Sequence, residues 1–74
     1  MTLSVVRTFG IGEHRFRYTI RREGRPVKRV LTDTEARYAV VYPDMTIRLR
    51  RDSVDISPSE MEDPDTRILP ILTE

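Results

Sequence analysis

Apolar and polar residues alternate along much of the first three-quarters of this chain, and that period of two predicts strands. The clearest case is residues 14–22, where Phe16, Tyr18 and Ile20 interleave with Arg15, Arg17, Thr19 and Arg21. Such a segment buries one face and solvates the other. Before it, residues 3–9 are rich in β-branched and aromatic residues and end at Gly10-Ile11-Gly12, a first strand closed by a turn. After it, Glu23-Gly24-Arg25-Pro26 reads as a turn, and Val27 to Leu31 returns as the hairpin partner.

The middle of the chain carries mixed signals. Thr32 and Glu35 match a capping box, but residues 36–42 turn β-branched and aromatic. The expectation is at most one helical turn, then a strand over about 37–42. Pro43-Asp44 is a type I turn signal. Thr46 to Arg51 forms the next strand, with Ile47 and Leu49 inward and Arg48 and Arg50 outward, and Val54 and Ile56 continue the alternation past a break at Asp52-Ser53. Ser57-Pro58-Ser59-Glu60 is a helix start, with serine as cap and proline at the first position, and Asp63-Pro64 stops it. Asp65 to Glu74 then reads as a tail with an apolar patch, Ile68 to Leu72. The fold expected is mainly β: a small antiparallel sheet or barrel of about five strands, in the SH3-like or OB-like size class, with a short C-terminal helical turn and tail. Residues 1–56 form a basic β domain and 57–74 an acidic extension, which either docks on the sheet or lies over the basic face.

Composition sharpens this division. The chain has 74 residues, a size at which a single core is thin. It has no cysteine, so neither a disulfide framework nor a thiolate zinc site supports the core. No run approaches the roughly 18 apolar residues that span a bilayer, and the N-terminus lacks a signal-peptide pattern, so a cytoplasmic location is expected. The net charge of +1 conceals two opposed regions. Residues 1–51 hold twelve of the thirteen basic residues against five acidic ones, while residues 52–74 hold seven acidic residues against Arg67. Arginine, which supplies twelve of the thirteen, suits bidentate contact with phosphate or carboxylate.

Catalytic signals are weak. His14 stands alone between Glu13 and Arg15, where a solvated histidine is the simpler reading than a general base. Gly10-Ile11-Gly12 lacks the third glycine and following helix of a phosphate loop. Glu60, Glu62, Asp63 and Asp65 lack the spacing and central glycine of a calcium loop. No enzyme, cofactor or metal site is expected.

The basic face is the functional candidate. With Phe16, Tyr18, Ile20, Ile47 and Leu49 inward, Arg15, Arg17, Arg21, Arg48 and Arg50 share the opposite side, flanked by Arg22, Arg25 and Lys28. Lys28 joins that side if Val27, Arg29 and Leu31 point inward. Such a face suits a phosphate backbone and offers no direct sequence readout. Tyr38 and Tyr42 are the aromatic residues left for base stacking. The expected role is a regulatory protein that engages an anionic partner, foremost a nucleic acid. The rival is a protein–protein inhibitor or adaptor, for example a phage-type inhibitor of a host nucleic-acid enzyme, docking by its basic face, a strand edge or the tail. An edge strand also offers a route to a homodimer.

Overall fold

In the computed structural model, which describes residues 2–73, the alternating N-terminal segments form a three-stranded meander. Its strands are β1 (Leu3–Phe9), β2 (Phe16–Arg22) and β3 (Arg25–Thr32). The chain then crosses to a second hairpin, β4 (Tyr38–Val41) and β5 (Ile47–Arg50). A 3₁₀ turn (Ser53–Asp55) and one short helix, α1 (Pro58–Glu62), lead into β6 (Arg67–Thr73). The spatial order is β3-β2-β1-β6-β4-β5, a mixed sheet curled into a half-barrel.

The expected small β fold is present, with a sixth strand. The tail's apolar patch inserts between the two hairpins, parallel to β1 and antiparallel to β4. Val5 pairs with Ile71, and Ala39 with Leu69. Leu69 and Ile71 face the core cluster, while Pro70 and Leu72 on the opposite face are exposed. The sheet is therefore mixed rather than purely antiparallel. β5 and β6 both run antiparallel to β4, so the helical segment is a crossover between two parallel strands with β4 between them.

Turn chemistry explains the hairpins. Glu23 (φ 53°) and Gly24 (φ 79°) both adopt the left-handed conformation, the two-residue turn whose twist matches that of the flanking strands. Arg25 and Pro26 therefore belong to β3, and the proline is tolerated because β3 is an edge strand. In the β4–β5 hairpin the Met45 amide donates to the Tyr42 carbonyl around Pro43-Asp44, and Met45 (φ 69°) supplies the left-handed exit. No helical turn forms at residues 32–35; the Thr34 amide donates to the Thr32 hydroxyl instead, a local bond that competes with a helix start.

One core cluster lines the concave face. Val5, Tyr18, Ile20, Ala36 and Ala39 are buried there, with Phe16, Val30, Ile47, Leu49, Leu69 and Ile71 packed around them. Val6 and Val40 are buried on the other side. Tyr18 is fully buried, and its hydroxyl donates to the Thr34 carbonyl (2.6 Å) and accepts from the Ala36 amide (2.7 Å). One side chain thus anchors the β3–β4 crossover, whose backbone has few other partners.

Tyr18→Phe removes both bonds and strands a buried amide. It should lower unfolding free energy by about 1–3 kcal/mol; an unchanged denaturant midpoint would contradict the anchoring role. A chain ending at Thr66 loses the strand that joins the two hairpins. It should show no cooperative thermal transition by circular dichroism, and a sharp transition would show that the hairpins hold together without β6.

Candidate functional site

Strand parity decides where each arginine goes, and the structure divides the expected face into separate groups. On the convex side of the meander stand Arg17 and Arg21 of β2 and Arg29 of β3. Arg29 pairs directly with Thr19, so it sits on the diagonal between the two others. Cross-strand diagonal neighbours lie roughly 7–8 Å apart at Cα. Thr19 lies among these residues yet is only 7% exposed, as happens where long arginine stems lie over their neighbours. The Arg17 Nε donates to the Thr8 hydroxyl at 3.1 Å, and the Arg21 Nε is buried without a hydrogen-bond partner.

A bulge relocates Lys28. The β2–β3 register shifts between Ile20 and Arg21, so that Ile20 pairs with Lys28 and Arg21 with Pro26, leaving Val27 as the extra residue. One inserted residue reverses the alternation on one side of it. Lys28 therefore shares the concave side with Ile20 and Val30, while Arg29, expected inward, joins the convex ladder. Arg22 pairs with Leu3 and also belongs to the concave side. Lys28 and Arg22 line a cleft of about 180 Å³ with Ile20, Val27, Met45 and Ile47, at the seam where the half-barrel stays open. Arg25 is exposed beside them at the hairpin tip.

Arg15 also leaves the expected face. Its guanidinium carbon lies 5.5 Å from the centroid of the Phe16 ring, and that of Arg7 lies 5.3 Å away, both within cation–π range. The β1–β2 loop holds Arg15 there. The Gly10 amide donates to the Arg15 carbonyl (2.8 Å), and a Cβ on Gly10 would stand 2.0 Å from the His14 carbonyl oxygen. His14 is exposed, its Nδ1 3.9 Å from Asp33, whose carboxylate accepts from the Arg15 amide at 2.8 Å. Phe9, opposite Phe16 in the register, is 90% exposed.

Arg48 and Arg50 lie on the convex side of the second hairpin. Arg48 is exposed, but Arg50 Nη2 bonds Glu60 Oε2 at 3.3 Å. Glu60 also accepts from the Tyr42 hydroxyl, and its other oxygen accepts from the Ser57 amide (2.9 Å) and hydroxyl (3.0 Å). The Glu60 amide donates back to Ser57 Oγ, completing the capping box that starts α1. Tyr42 is thereby tied down, and Tyr38, half-buried opposite Arg50, presents a restricted surface. Phe9 is the aromatic residue that parity reasoning passes over: its place at the end of β1 leaves it outside the core.

Among the described residues Arg15, Arg17, Arg21, Arg22, Arg25, Lys28, Arg29 and Arg48 have no carboxylate within 4.0 Å. Also among the described residues, no cluster of metal-ligating side chains occurs and no helix is long and apolar enough to cross a membrane. Comparison with protein-family models, curated proteins and solved structures finds no match.

The hydrogen bond from Tyr42, followed by those from Ser57 and the charge of Arg50, outweighs burial and holds the Glu60 carboxyl at about 2, against an ordinary value of 4.5. The same bond raises the Tyr42 hydroxyl. Because the folded carboxyl titrates lower, its contribution is complete above about pH 4.5 and is lost as pH falls toward 2. Glu60→Gln should lower the melting temperature at pH 7 and flatten its fall between pH 4.5 and 2.5; parallel wild-type and variant curves would contradict this.

Proposed function

We propose that the chain is a non-enzymatic nucleic-acid-binding protein that holds a phosphate backbone against the convex face of β1–β3. The observation that carries this reading is the diagonal of Arg17, Arg29 and Arg21, which has no carboxylate within ion-pair distance among the described residues. Guanidinium groups placed this way form charge-assisted bonds to phosphate oxygens without reading base edges. Arg15 beside the Phe16 ring, Arg22 at the seam and Arg25 at the hairpin tip lie off this ladder and add to the positive field around it. Arg48 lies across the sheet as a further contact, and Lys28 contributes to the field from the seam. Arg50, held by Glu60, is left out of the proposed contact set.

A second reading, a protein–protein inhibitor or adaptor, draws on a different observation. β3 is an eight-residue edge strand with Val27 exposed at the open seam and Leu31 exposed on the convex side opposite Arg17, a geometry to which a partner strand adds. Pro26, Lys28 and Arg29 on the same strand are residues that discourage such pairing, which weighs toward the first reading.

Fluorescence anisotropy of labelled DNA and RNA oligonucleotides against sodium chloride separates the two. Three or four phosphate contacts predict a slope of log K against log salt of about −2 to −3 for a single strand. Arg17→Glu with Arg21→Glu should weaken binding by more than about tenfold whatever the base sequence. A flat salt response, or affinity untouched by the double reversal, would reject backbone binding.

A further inference from the structure

We infer that the β1–β2 end of the sheet is a base-stacking subsite, and that the nucleic acid the protein prefers is single-stranded. This rests on the reading of the convex face as a phosphate track and names what that track leads to. Phe9 closes β1 with its side chain 90% exposed and free to meet a partner. Ile11 follows it, 62% exposed. Phe9 pairs in register with Phe16, and a slot of about 140 Å³ lies among Arg7, Thr8, Phe9, Phe16 and Thr73. That space is well below the roughly 300 Å³ at which whole small-molecule sites begin, and it suits one planar ring.

The charge around the slot fits a nucleotide better than an apolar peptide. Arg7 and Arg15 both lie within 5.5 Å of the Phe16 centroid, and Arg15 has no acidic partner among the described residues. Arg7 is ion-paired to Glu35 (3.2 Å), so a base stacked on Phe9 meets aromatic carbon on one side and has the Arg15 guanidinium beside it for the adjoining phosphate. The arginine diagonal ends at Arg17, whose register partner Thr8 is the residue before Phe9. Thr8 shares the convex side with Arg17 and also lines the slot, while Phe9 and Phe16 stand on the concave side, so a flexible strand following Arg21, Arg29 and Arg17 turns round the end of β1 and β2 to place a base on Phe9. A duplex keeps its bases stacked on one another and presents none to Phe9 unless a base is extruded, which costs a few kcal/mol.

The test compares a labelled oligo-dT strand with a labelled duplex of the same length, using wild-type protein and the Phe9→Ala and Phe9→Tyr variants. Phe9 lies outside the core, so the folded state should survive alanine, which a thermal melt confirms. Phe9→Ala should weaken oligo-dT binding about 5- to 100-fold, leave duplex binding within about twofold, and be rescued by Phe9→Tyr. Wild-type binding that Phe9→Ala leaves unchanged, or lowers equally for strand and duplex, overturns the stacking subsite while leaving the phosphate track standing. Failure of the wild-type protein to bind either oligonucleotide at low salt overturns both.

Discussion

The architecture depends on the backbone pairing of β6. Its residues bond β1 on one edge and β4 on the other, so one strand joins the three-stranded meander and the β4–β5 hairpin, which is marginal alone, into a continuous sheet. The core depends on the same insertion, because Leu69 and Ile71 bring β6 into the apolar cluster built around Tyr18 and Ile20. Closure over such a sequence separation delays folding relative to local hairpins, since loop entropy opposes it before the contacts form. Tyr18 performs a related task, its hydroxyl holding the crossover between the two hairpins.

The charge pattern follows from where the carboxylates are used. Asp33, Asp44, Asp52 and Asp63 each accept a hydrogen bond from a backbone amide, of Arg15, Thr46, Val54 and Asp65 respectively. Three of these are short-range turns of the kind aspartate favours. Glu60 caps α1 and fastens it to Tyr42 and Arg50. Acidic residues engaged in shaping loops do not neutralise the sheet, and the convex arginines of β2 and β3 keep their field. Among the described residues, the acidic segment forms an ion pair with the basic face at Arg50.

The site was partly legible in the residues. Alternation in β2 correctly separates Arg17 and Arg21 from Tyr18 and Ile20, because nothing interrupts that strand. The same reasoning misplaces Lys28 and Arg29, because a bulge at Val27 carries no distinctive residue type and reverses parity. It misplaces Arg15 because the residue precedes the strand, where the Gly10 loop and Phe16 ring set its direction. Nothing in the residues around Phe9 marks it as exposed; its place at the end of β1 does.

By itself the sequence determined the local elements: the β2–β3 hairpin from its turn and alternation, the β4–β5 turn from Pro43-Asp44, and the helix start from Ser57 to Glu60. These rest on interactions within a few residues, whose chemistry is written in order along the chain. Tertiary structure alone decided that the apolar end of the chain is an internal strand of the sheet, that the sheet is mixed, and that the arginines divide among separate groups. Those outcomes depend on pairings between residues as distant as Val5 and Ile71 and on one bulge. An apolar run shows that it must be buried, but the partner that buries it is settled by the competition among all the strands for the same edges.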